Sequence, residues 1–165
     1  MTIEEIIKKY NIISIGTQLA MDPKIKNNMD DLTFAKEHKQ DILDFISQKS
    51  KERQAKIDAI EGLKEIEDAV SDLAKWNREF AASFNDVGGL GVRPKPDYDL
   101  EKMSKKYPRA AAYRKAEAYE YASHYYKATL GEQAKEKIIY GEDYTAVIAD
   151  MEQKWHDYTE AHIFE

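Results

Sequence analysis

Apolar residues recur at steps of three and four through most of this chain, a spacing that commits it to helices laid on a core. The cleanest stripe is Tyr144, Val147, Ile148, Met151, Trp155, Tyr158 and His162, behind Asp143 as a helix cap. A second runs through Ile60, Leu63, Ile66, Val70, Leu73, Trp76, Phe80 and Phe84, in a helix predicted over 57–84. Gly62 interrupts it at a cost of roughly 1 kcal/mol relative to alanine, and a kink is expected there. The third helical stretch, Tyr107 to Leu130, is built from alanine, tyrosine and charge and holds six of the eleven tyrosines. It predicts one long helix opened by Pro108, whose missing N–H would have no partner at the first position. That helix runs on through Gly131 to Ile139 and ends at Gly141, a natural residue just past a C-terminus. The last helix is expected to pack on it and on the helix carrying Trp76.

The first third reads differently. Thr2 with Glu5 forms a capping box, and Ile3, Ile6 and Ile7 make a short amphipathic helix to Lys9. The β-branched run Ile12, Ile13, Ile15 before Gly16 predicts a strand, with Leu19–Met21 as its hairpin partner. A further helix starts at Asp30 or Asp31 and carries Leu32, Ala35, Ile42 and Ile46 inward. Its string LTFAKEHKQDILDFI resembles the last helix of small docking-type modules, which implies a protein-contact module. Residues 48–58 are almost entirely polar. The expected architecture is therefore mainly α: a helical bundle over 59–165, a polar helical connector over 48–58, and a small N-terminal α/β (helix–hairpin–helix) module over 1–47.

At 165 residues the chain can bury a core without staples. It has no cysteine, hence no disulfide, no thiolate zinc site and no cysteine nucleophile. No apolar run is long enough to span a membrane. Acids stand near the N-terminus where a signal peptide would carry bases. A cytoplasmic protein is expected. The net charge of −6 argues against a general nucleic-acid binder, but it is unevenly spread. Gly88 to Lys115 holds eight basic residues against three acids, and Glu132 to Glu165 three against nine.

Motifs for chemistry fail on detail. GGLGVRPK lacks the G-K-[ST] of a phosphate loop, and Pro94 stands where a dinucleotide fingerprint needs its third glycine. Helical bundles that hold two irons need Glu-x-x-His, which is missing, as are HExxH and GxSxG. No catalytic residue, metal or cofactor is expected, and the protein is read as not an enzyme. What remains is an aromatic and basic segment: Arg93, Lys95, Lys105, Lys106, Arg109, Arg114 and Lys115 with Tyr113, a surface suited to phosphates or to a protein partner. Opposite in sign are Asp143, Asp150, Glu152, Asp157 and Glu160 of the tail. Small residues such as Ala112 and Ala116 make either an internal helix contact or the seam of a homodimer.

The runs GGLGVRPKPDYD, KYPRAAAYRKAEAYEYASHYYKATLGEQAKEKIIYGEDY and DMEQKWHDYTEAHIFE resemble a family of small helical proteins of Clostridia and related Firmicutes, carried by prophages and mobile elements. The likeness covers Ile57 to Glu165. One branch of that family is associated with anti-CRISPR activity. The resemblance implies a non-catalytic inhibitor in the cytoplasm of a bacterial host. It would bind a Cas9-type nuclease or its guide-RNA complex and block DNA cleavage. The alternative is a nucleic-acid-binding accessory protein of a phage or mobile element.

Overall fold

The computed structural model describes residues 1–84 and 91–163. The chain is mainly helical, with one small antiparallel sheet among the described residues, and divides into two compact units, Met1–Ala55 and Lys56–Glu165.

In the first unit the capping box forms as expected. The Thr2 hydroxyl accepts from Glu5 N–H at 3.2 Å, and the Glu5 carboxylate accepts from Thr2 N–H at 2.7 Å, opening α1 (Ile3–Lys9). Strands β1 (Ile13–Ile15) and β2 (Gln18–Ala20) pair Ile13 with Ala20 and Ile15 with Gln18. Gly16 takes φ +60 in the two-residue turn between them, where a mirror-type hairpin turn wants glycine. The helix expected from Asp30 begins one residue earlier and comes in two pieces, α2 (Met29–Glu37), capped by the Asn28 side chain, and α3 (Lys39–Asp58). One residue, His38, separates them. Its ring packs on Phe34 at 4.4 Å and its Nδ1 meets Asp41 at 2.9 Å, while Ile42 N–H still donates to its carbonyl. Ile6, Tyr10, Ile12, Ile25, Ala35 and Ile42 form the core. Asp31 is buried there, accepting from Tyr10 Oη at 2.5 Å and Lys9 Nζ at 2.7 Å. The Lys9 hydrogen bond, then that of Tyr10, holds the Asp31 carboxyl below the usual carboxylate range.

The second unit corrects two sequence expectations. The helix expected over 57–84 is broken: α3 ends at Asp58, and α4 (Leu63–Ser83) starts after Gly62. Gly62 takes φ +74, and a Cβ there would lie 2.1 Å from Tyr107 Cγ. A left-handed turn and a buried ring occupy the place of a kink. The long helix expected from Tyr107 is likewise two, α6 (Pro108–Glu120) and α7 (Tyr125–Ile139), turning back over Tyr121–His124. The reason is the small residues. A Cβ on Gly131 would stand 2.2 Å from Glu120 N and 2.5 Å from the Ala116 carbonyl oxygen, so the two backbones touch. A single straight helix would leave those faces without partners. Arg109, at the start of α6, donates to the Ile138 carbonyl at 2.5 Å near the end of α7, so the hairpin is antiparallel. Beyond α7, Gly141 takes φ +90 while Gly141 N–H reaches Ile138 O and Glu142 N–H reaches Lys137 O. These bonds form the Schellman pattern that releases the chain from a helix.

Asp99 caps the short α5 (Leu100–Lys106) through Lys102 N–H, and Pro108 opens α6. Asp143 caps α8 (Tyr144–Ala161) through Thr145 N–H. This last helix buries Val147 and Met151 and packs mainly on α7 and α6 rather than on the helix carrying Trp76. Ile60, Leu63, Ile66, Tyr113, Ala116, Ile138 and Met151 belong to the common core.

Candidate interaction surface

The predicted basic residues do not assemble into one open patch, because most are spoken for. Arg93 bridges two turns of α4, donating to Asp72 at 2.8 Å and Glu79 at 2.9 Å. Those bonds, Asp72 first, push its already high pKa further up. Its carbonyl accepts from Trp76 Nε1 at 2.8 Å, and Lys95 Nζ sits 5.7 Å from the same indole. The glycines at 88 and 89 that lead into this segment, and the rest of 85–90 in the expected loop, lie outside the described residues. Lys105 pairs with Glu101 at 2.8 Å within α5. Arg114 pairs with Glu117 at 2.6 Å in a half-buried site faced by Glu67 of α4. Burial and then Glu117 raise the Glu67 pKa, against the pull of Arg114. Lys115 pairs with Glu152 of α8 and lies mid-helix, beside an apolar groove between α6 and α8. Tyr113 is buried, only 5% exposed, so it is a core residue and not a contact. Its aromatic body made it attractive as a contact; the inward face of α6 decides otherwise.

The acidic set behaves similarly. Asp143 is a helix cap, Asp150 pairs with Lys154 at 2.8 Å, and Glu152 pairs with Lys115. Asp157 accepts from Gln153 at 2.8 Å, and Glu160 lies 3.9 Å from His156. Asp143, Asp150, Asp157 and Glu160 stay exposed on α8, a solvated acidic face, with Glu152 half-buried.

Sequence reasoning missed a cluster of rings where the α6–α7 turn meets the second half of α8. Tyr158 is its centre. Its ring lies 4.1 Å from His162, 4.7 Å from Tyr126, 5.1 Å from His124 and 5.7 Å from Trp155. Lys127 Nζ sits over Tyr119 at 4.6 Å and Trp155 at 5.1 Å. Beside them Tyr121 and Tyr125 are 78% and 86% exposed. The signal was present: His124, Tyr125 and Tyr126 abut one another, and Trp155, Tyr158 and His162 step by three and four. Reading Tyr107–Leu130 as one helix placed 121–125 along a rod instead of at a turn, which hid the cluster.

A second aromatic feature lies on the far half of α4. Trp76 stacks on Phe80 at 5.0 Å and Phe80 meets Phe84 edge-on at 5.0 Å, with Phe84 76% exposed. Among the described residues no group of three or more His, Asp or Glu is placed to hold a metal ion, and no helix is long and apolar enough to cross a membrane. No protein-family model matches the chain, and neither a curated protein nor a solved structure matches it.

Proposed function

We propose that this protein is a non-catalytic interaction protein of a phage or mobile element, which binds a Cas9-type nuclease or its guide-RNA complex and blocks DNA cleavage. The observation that carries the interaction reading is the ring cluster around Tyr158 with Tyr121 and Tyr125 bare beside it. Tyrosine and tryptophan concentrate binding energy at protein interfaces because they bury large area with few rotatable bonds. Exposed aromatics grouped at one end of a bundle suit a partner better than scattered single ones. The exposed acids of α8 add the charge that a basic nucleic-acid channel would attract. The nature of the partner rests on the sequence resemblance over Ile57 to Glu165. Direct nucleic-acid binding through the segment from Arg93 to Lys115 is less favoured, since Arg93, Lys105, Arg114 and Lys115 already face carboxylates.

The test is DNA cleavage by several guide-loaded Cas9 orthologues with a molar excess of the protein. Inhibition of at least one is expected, and Tyr121→Ala with Tyr125→Ala should weaken it about tenfold or more, as hot-spot truncation does. Unimpaired cleavage across the set would sink the proposal.

A further inference from the structure

Three cations of the second unit that meet no carboxylate in a direct ion pair converge on one place. Lys56 Nζ lies 5.7 Å from the Tyr140 ring, Lys106 Nζ lies 4.7 Å from the Tyr107 ring, and Arg109 donates to the Ile138 carbonyl. Each meets a neutral group, so its charge is not cancelled by direct pairing. All three line one open cavity of about 460 Å³, walled by the end of α3, the turn before α4, the α5–α6 junction and the end of α7. One carboxylate, Glu61, lines it too. Glu65 accepts from the Tyr107 hydroxyl at 2.9 Å and acts on Lys106 from behind that ring, keeping its charge, but does not line the cavity. The lining charge is thus three positive against one negative, a net of +2. Ile60, Pro108 and Ile139 supply apolar wall.

We propose that this cavity binds an organic phosphate monoester, with the phosphate against Lys56, Lys106 and Arg109 and the organic part against Ile60, Pro108 and Ile139. Charge selects the class. A phosphate monoester carries about −1.5 to −2 at neutral pH, which matches the lining. A carboxylate or an internal phosphodiester brings about one charge and leaves the other uncompensated. Geometry agrees. Arg109 is held by the Ile138 carbonyl, which fixes its planar fork for oxygen pairs, whereas the two lysines act as mobile point charges. The volume exceeds what inorganic phosphate needs and suits a nucleotide-sized molecule. The same chemistry is offered by a free mononucleotide and by the 5′-terminal phosphate of a nucleic-acid strand. The site stands apart from the aromatic cluster and does not rest on the functional reading above.

Titration calorimetry of the full chain tests it, with adenosine 5′-monophosphate, adenosine, and short oligonucleotides with and without a 5′-phosphate. The nucleotide should bind saturably and adenosine should not. The double variant Lys56→Ala/Lys106→Ala should weaken binding roughly a hundredfold, about tenfold per cation. Both lysines are exposed, so helicity by circular dichroism should be unchanged. Lys115→Ala, outside the cavity, should bind as the parent does. Binding of the 5′-phosphorylated strand alone would support the same site with a strand end as its source. Binding of neither phosphate, equal binding of adenosine, or undiminished binding by the double variant would overturn the proposal. A double variant that loses the nucleotide but still inhibits cleavage would separate this site from the interaction surface.

Discussion

The α6–α7 hairpin and the far half of α4 invert what their sequences promise. Helix α4 carries the stronger apolar stripe, yet beyond Ala69 its residues are exposed or half-buried, with Phe80 partly and Phe84 largely bare. Helices α6 and α7 read as weakly amphipathic mixtures of alanine, glycine, tyrosine and charge, yet Ala110, Ala116 and Ile138 are completely buried. The difference lies in how each is held. The hairpin closes backbone to backbone at Gly131, whereas far α4 is clasped by one side chain, Arg93, and by an indole hydrogen bond. Small residues let two helices approach within backbone contact, and the dispersion gained over the whole length outweighs the area of any single ring. A large apolar stripe needs a partner element, and among the described residues the segment carrying Arg93 lies against far α4 through polar bonds.

The sharpest way to break this comparison is Gly131→Val. A side chain there meets the Glu120 and Ala116 backbone, which cannot move aside as a flexible side chain does. The variant should lose about 3 kcal/mol or more in urea unfolding, and an unchanged midpoint would show that the two backbones do not touch at Gly131. Next is Lys135→Ala. Lys135 is buried and paired with Glu120 across the hairpin, 5.9 Å from the Tyr113 ring. Removing it strands a half-buried carboxylate at about 3 kcal/mol, while Lys135→Met with Glu120→Leu should come close to parent stability. Burial works against the lysine charge, but Glu120, Tyr113 and Glu117 outweigh it and raise its pKa in the fold. Its contribution is therefore full below the unfolded lysine value of about 10.4 and lost as pH rises through the higher folded value. The gap between parent and Lys135→Met should narrow there, and a gap independent of pH would refute the pair.

Gly62→Ala should cost about 2 kcal/mol, from left-handed backbone strain and the Tyr107 ring. Thermal unfolding reads it, and a gain in stability would mean that the Tyr107 ring does not fill the space beside Gly62. The smallest expected effect is Arg93→Ala. Global unfolding should barely shift, because the Arg93 network is exposed. Trp76 should become more accessible to acrylamide while Trp155 does not, and unchanged quenching would show that the clasp does not cover the indole.

Helix positions were legible wherever caps or stripes were strong: Thr2 with Glu5, Asp99, Pro108, Gly141 and the Val147–Met151 stripe all sit where local chemistry placed them. The candidate surface was less legible. Tyr113 and Tyr121 look alike in sequence, and only the turn at Tyr121–His124 sends one inward and leaves the other bare. The pairing of Arg114 with Glu117 was legible from its spacing of three, but that of Lys115 with Glu152 was not, since it joins different helices.

By itself the sequence determined that this chain is helical, where the caps at Thr2, Asp99 and Asp143 and the terminating Gly141 fall, and that its charge separates into a basic middle and an acidic tail. Those properties depend on neighbours within one turn. Tertiary structure alone decided that Tyr107–Leu130 folds back on itself, which cations pair with carboxylates of other helices, and that Lys56, Lys106 and Arg109 share one cavity. These outcomes depend on contacts between residues far apart in the chain, where burial and the field of distant groups outweigh local preference.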